Sequence, residues 1–96
     1  MPTIKTTPWD PSEHLDSPEM MAEYLNAALE ENDQELLLAA LNNIAKAKGM
    51  TNLAKETGLA RPSLYKSLRS GAKPEYATIN KIIEGLGLHL QVTTHH

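Results

Sequence analysis

Apolar residues recur three or four positions apart along most of this chain, and this spacing constrains its fold more than any other feature. The spacing is interrupted at Asn32, Gly49, Gly58, Gly71 and Gly87, which are residue types that end helices or form tight turns. The pattern therefore predicts an all-α fold with five helices. A length of 96 residues, 41% of them hydrophobic, fits one domain with a single core.

Capping residues indicate where the helices start. Ser17 followed by Pro18 is typical of a first turn, because the hydroxyl serves as N-cap and the proline lies where no N–H is needed. Thr51 is expected to cap the third helix in the same way. The predicted buried faces include Leu29 in the first helix and Leu37 in the second, with Leu38 as a further candidate. The predicted helices cover residues 18–31, 34–48, 52–57, 62–70 and 75–85.

The two ends of the chain differ from the helical region. Residues 1–16 contain three prolines and are expected to form an extended arm, in which Trp9 is either an anchor for a partner or folded back on its own domain. The terminal "LHLQV" alternates apolar and polar residues, which predicts a short strand at 88–94. Its pairing partner is either the arm or the same strand of a second subunit. The helical domain lies between them, at 17–87.

The net charge of −3 hides an uneven distribution. Residues 1–45 carry one base and nine acids, whereas residues 46–96 carry eight bases and three acids. Such asymmetry is typical of a chain with a nucleic-acid surface at one end and a different, cationic partner at the other. The alternative is that both charged faces are merely solvated.

The cations gather around a two-helix segment at residues 51–70. At about 100° per residue, Leu64 and Leu68 define the buried face of its second helix, so Lys66 and Arg69 project away from the core. Arginine can read guanine edges in the major groove, while lysine and hydroxyl groups bind phosphates or bases. A solvated basic face is again the alternative. The candidate DNA-binding residues are Thr51, Asn52, Arg61, Ser63, Tyr65, Lys66, Arg69 and Lys73.

Catalysis and metal binding find little support in the residues. Cysteine is absent, and the four histidines have no spacing typical of metal ligands. We therefore expect no enzyme activity and no cofactor. No apolar run approaches the ~20 residues needed to cross a bilayer, and a secretory signal is not expected, because residues 1–14 have no charged stretch followed by an apolar one. A cytoplasmic location without a membrane partner is expected.

The run "LAKETGLARPSLYKSL" resembles the helix-turn-helix of the Cro/repressor class, in which a small residue is followed by glycine four positions later. Ala54 and Gly58 occupy those two positions. The resemblance implies that residues 51–70 form the helix-turn-helix of a repressor-like DNA-binding domain.

The longer stretch from Pro8 to Val92, including "PWDPSEHL" and "PEYATINKIIEGLGLHLQV", resembles the HigA-like addiction-module antidote proteins. That family implies an antitoxin that represses its own operon by binding operator DNA. A homodimer is inferred from that function. The family also implies a cognate toxin of the RelE/ParE superfamily, and because such toxins are typically basic, the acidic half is a candidate partner surface.

Three positions depart from the expected pattern. Ala60 stands where Ser or Thr usually precedes the recognition helix, Pro62 replaces a polar residue, and the second buried position falls at Leu68, one residue later than in the wider repressor class. Two alternatives to the antitoxin stay open. One is a phage-type repressor without a toxin partner, and the other is a pure toxin-binding protein that has lost DNA affinity.

Overall fold

The computed structural model describes Leu15 and residues 17–94, so the predicted arm, with Trp9, lies almost wholly outside the described residues. All regular structure in the described part of the chain is helical. The five helices are α1 (Pro18–Glu30), α2 (Gln34–Lys48), α3 (Met50–Thr57), α4 (Arg61–Leu68) and α5 (Tyr76–Gly85).

The first two helices begin at capping side chains, the first of them at the predicted Ser17. The Ser17 hydroxyl accepts a hydrogen bond from the backbone N–H of Met20 at 3.2 Å. At the start of α2, the Asp33 carboxylate accepts from the N–H of Glu35 at 3.0 Å. Asn32, between them, has a φ of +55°, which gives the chain the reversal it needs between two antiparallel helices. Both helices match their predicted bounds to within one residue.

The core forms where the helices converge. Helix α1 packs on α2, and α3 packs on α2, α4 and α5. The largest fully buried side chains are Leu38, Leu41, Ile44, Leu53, Leu64, Leu68, Ile82 and Ile83. Of the predicted core positions, Leu29 is wrong, since it is exposed, and Leu37 is half-buried against the core, whereas the further candidate Leu38 is fully buried.

The third helix differs from prediction at its start, and the fourth, which begins one residue early at Arg61, differs at both ends. Thr51 lies inside α3 and is not its cap, since the helix starts at Met50, a buried residue, with Gly49 as N-cap and no side-chain cap bond. Helix α4 ends at Leu68, not at Ser70. Arg69 already has an extended backbone, with φ −75° and ψ 160°.

The C-terminal segment alternates in burial without forming a strand. Leu88 and Leu90 are half-buried against the core, whereas His89 and Gln91 are exposed. Residues 88–94 have no regular secondary structure. The burial pattern thus agrees with the sequence, and the strand itself stays an unconfirmed prediction.

Candidate nucleic-acid interface

Helices α3 and α4 are joined by a three-residue turn that local hydrogen bonds hold in place. Gly58 has a φ of +76° and donates its N–H to the carbonyl of Ala54 at 2.9 Å. The Thr57 hydroxyl donates to the Leu53 carbonyl at 2.9 Å and accepts from the Leu59 N–H at 3.1 Å. Glycine suits this position because a positive φ is a backbone conformation that residues with a side chain disfavour. The two helices therefore form a defined unit, called here the α3–α4 unit.

Helix α5 approaches this unit closely at Gly85. A Cβ atom at Gly85 would lie 2.6 Å from Thr57 Cγ2 and 3.2 Å from Leu53 Cδ1. Both distances are shorter than ordinary van der Waals contact, so α5 can seat against α3 only because this residue has no side chain. The sequence predicts Gly85 only as the end of the fifth helix and gives no sign of this close contact with α3.

The outward face of α4 carries polar and cationic side chains. Leu64 and Leu68 are 0% and 2% exposed, which confirms the predicted buried face. Lys66 is exposed, as the helical spacing predicts. All eight candidate DNA-binding residues have exposed side chains: Thr51, Asn52, Arg61, Ser63, Tyr65, Lys66, Arg69 and Lys73.

Arg61 and Tyr65 interact one turn apart on α4. The Arg61 guanidinium carbon lies 6.0 Å from the centre of the Tyr65 ring, at the limit of a cation–π contact. Such a contact limits the rotamers of both side chains while leaving the guanidinium N–H groups accessible. Arg61 therefore presents five N–H donors at the start of α4, and Tyr65 presents a phenol hydroxyl one turn later.

Thr51 and Asn52 come from the preceding helix of the unit. Both are exposed on the first turn of α3. The Asn52 side-chain amide donates to the Lys48 carbonyl at 3.3 Å, across the junction of α2 and α3. Asn52 keeps its side-chain oxygen for another partner.

Arg69 and Lys73 follow α4 and do not belong to its helical face. Arg69 is the C-cap, with an extended backbone, and Lys73 lies in the loop before α5. The predicted placement of Arg69 on the helix is therefore wrong, although its exposure agrees with the prediction. The N-cap of α4 is Ala60, which makes no side-chain cap hydrogen bond.

A carboxylate from α2 holds the turn that follows α4. Glu35 accepts hydrogen bonds from the Gly71 N–H at 3.0 Å and from the Ser70 hydroxyl at 3.1 Å. These contacts join residues 35 and 36 positions apart in the chain. They explain why α4 stops early, since the chain at 70–71 turns toward Glu35. No local sequence signal indicates such a pairing.

Two other kinds of feature, metal clusters and membrane-spanning helices, are not found in the described part of the chain. Its Asp, Glu and His residues form no group of three or more that could hold a metal ion. None of its helices has the length and apolar character needed to span a bilayer.

Comparisons with known proteins show similarity over nearly the whole chain. A family model described as "Probable addiction module antidote protein" matches residues 5–94. An uncharacterized protein of Haemophilus influenzae is 42% identical over 84 residues, which cover 88% of this chain and 87% of the relative. No solved structure matches the chain significantly. The family match includes every helix described above, from the acidic helices to the α3–α4 unit.

Proposed function

The chain belongs to the family of probable addiction module antidote proteins, and we propose that it is the antitoxin of a type II toxin–antitoxin module that also binds its own operator DNA. On this proposal the α3–α4 unit is a helix-turn-helix, and α4 enters the major groove. One observation carries the proposal: Leu64 and Leu68 are buried, while the cationic and hydroxyl groups of the same helix are exposed.

The proposed contacts divide by chemistry. Arg61 and Ser63, on the first turn of α4, are the candidates for base edges, because recognition helices read bases with their N-terminal residues. Lys66 and Lys73 are candidates for phosphates. A pseudo-palindromic operator bound by a homodimer would place two copies of α4 about 34 Å apart. The resulting complex represses transcription of the antitoxin's own operon.

The proposed toxin belongs to the RelE/ParE superfamily, as the sequence resemblance implies. The acidic N-terminal half supports a basic partner, since complementary charge raises association rates and disfavours wrong partners. Binding, not catalysis, is the proposed activity toward both partners. The proposed compartment is the cytoplasm, where operator DNA is accessible.

A gel shift on the chain's own promoter tests the proposal that the protein binds operator DNA. Lys66→Ala should lower the affinity by about tenfold and reduce the slope of log affinity against log salt by about 1, because one phosphate contact is lost. Gln34→Glu is the matched control, since it also lowers the net charge by one but lies on α2, outside the α3–α4 unit. Equal losses from both variants would mean that total charge, and not α4, governs binding.

A second candidate function is a toxin-binding protein without DNA affinity. Ala60 favours it, because α4 lacks the side-chain cap that would stabilise its first turn by roughly 1 kcal/mol. The same gel shift separates the two. Absence of a shift for the unmodified chain, with toxin neutralisation intact, would select this second function.

A further inference from the structure

Two adjoining grooves lie on the acidic side of the molecule. The first, of about 510 Å³, runs between α1, α2 and α5 and has Leu29, Leu37, Tyr76 and Ile79 among its lining residues. The second, of about 1170 Å³, lies between α1 and the C-terminal segment. Leu29, Asn32 and Leu90 line both, so the two grooves form one continuous surface, called here the α1 groove.

The floor of the α1 groove exposes apolar side chains. Tyr76 is 69% exposed and Leu29 is 39% exposed, and both line the same groove, so they form one patch and are not scattered singly over the surface. Both lie next to half-buried residues, Ile79 and Leu90, that continue the apolar surface into the core. Burial of these exposed apolar side chains against apolar side chains of a partner is favourable in free energy.

The charge of the α1 groove is of one sign. Glu30 and Asp33 line it, and no lysine or arginine is found among its described lining residues. The described residues 17–45 as a whole contain six acids and no lysine or arginine. DNA is repelled by such a surface. A second copy docked on it across a two-fold axis would set the same acidic patch against itself, which is electrostatically unfavourable.

We propose that the α1 groove is the docking surface for the toxin, and that its occupant is a basic, amphipathic segment of that protein. This inference rests on the proposed antitoxin function. Apolar side chains of the segment fill the groove beside Leu29 and Tyr76, while its cations face Glu30 and Asp33. None of the eight candidate DNA-binding residues lines the groove. The antitoxin can therefore hold toxin and operator at the same time.

The test uses Leu29→Lys in the full chain and, as probe, the purified product of the reading frame adjacent to that of this chain. A cation at this exposed position repels the basic segment and removes apolar surface, so affinity should fall at least about tenfold in calorimetry. Met20→Lys is the matched control, because Met20 is also on α1 and 43% exposed but lines neither groove. It should bind as the unmodified chain does.

The milder Tyr76→Ala, at a position 69% exposed, keeps the test decisive if Leu29→Lys does not fold. Loss of affinity in the groove variants alone, with the gel shift on the promoter unchanged, supports the proposal. If the probe binds the unmodified chain and both groove variants equally, the groove is not the docking surface, although the antitoxin function stands. A change in oligomeric mass caused by Leu29→Lys would identify the groove as a contact between copies and overturn the proposal. A probe that fails to bind even the unmodified chain counts against the antitoxin function itself, and the docking proposal falls with it.

Discussion

At the scale of single residues, Glu35 is the most informative position. Its carboxylate belongs to the acidic helix α2, yet it bonds to the turn that follows the basic helix α4. The carboxylate accepts hydrogen bonds from the Ser70 hydroxyl and the Gly71 N–H, which are donors on consecutive residues. This geometry favours a single conformation of the turn. Since Arg69 immediately precedes that turn, Glu35 restrains the backbone next to a side chain that is proposed to bind DNA.

Glu35→Ala should lower the free energy of unfolding by about 1 kcal/mol, because charge-assisted but exposed hydrogen bonds are lost. In a domain of this size that corresponds to a fall in melting temperature of about 4–8 °C. Thermal unfolding followed by circular dichroism measures it. Glu23→Ala, an exposed glutamate within α1, is the control and should leave the melting temperature nearly unchanged.

Ser70→Ala separates the two halves of this contact. It removes only the hydroxyl donor and leaves the Gly71 N–H bonded to Glu35. We expect a smaller loss of stability than for Glu35→Ala. An equal loss would show that the bond to the Ser70 hydroxyl accounts for the whole stabilisation and that the bond to the Gly71 N–H contributes nothing.

At the scale of elements, the sequence was most informative where a helix is specified by its own residues. Helices α1 and α2 follow from Ser17 and Asp33 as caps and from their apolar spacing. The predicted bounds are wrong where tertiary contacts determine where a helix begins or ends. Helix α4 is shorter than its own sequence suggests because the turn that follows it bonds to Glu35. Helix α3 begins at Met50 because that side chain is buried in the core.

The same distinction applies to the candidate interface. Exposure of Lys66 and burial of Leu64 follow from helical periodicity alone, and both agree with the structure. The Gly85 contact could not be foreseen, since no local pattern tells which glycine faces another helix. Periodicity describes how one helix is oriented, whereas the distance between two helices depends on side chains of both.

Gly85→Ala tests that contact between α5 and α3. Alanine favours a helix by up to ~1 kcal/mol over glycine, but overpacking costs about 1–3 kcal/mol. Overpacking should prevail, because Gly85 is the last residue of α5 and Thr57 is fixed by hydrogen bonds on both sides of its hydroxyl. Denaturant unfolding should therefore show a net loss of about 1–2 kcal/mol.

Thr57→Ser provides the matched background for this substitution. It deletes Cγ2, the atom 2.6 Å from the new Cβ, and keeps the hydroxyl that bonds to Leu53 and Leu59. Gly85→Ala should cost clearly less in that background than in the unmodified chain. If the two costs are the same, the Thr57 methyl is not the obstacle, and close packing at Gly85 does not determine how α5 seats on α3.

At the scale of the whole molecule, the separation of charge raises a physical question for an acidic protein that is proposed to bind DNA. Helix α4 packs mainly on α2 and α3, so the nearest acidic helix lies directly behind the basic one. The shortest dimension of the molecule is 25 Å, about three times the Debye length of about 8 Å at physiological salt. Carboxylates that lie a full molecular width from α4 would therefore be screened from a duplex bound there, and the local charge of α4 would outweigh the net charge of −3.

Screening of this kind predicts how acidic residues influence operator binding. Replacing Glu23, Glu30 and Glu31 together by glutamine should raise affinity about two- to fivefold near 0.01 M salt, where the Debye length is about 30 Å. Near 0.15 M salt the gain should fall below about twofold, because repulsion across the molecule no longer reaches the phosphates. Fluorescence anisotropy with a labelled promoter fragment at both salt concentrations measures the two gains. An equal gain at high and low salt would indicate that these glutamates lie against the DNA, which is incompatible with a duplex bound at α4 and with an acidic surface reserved for another partner.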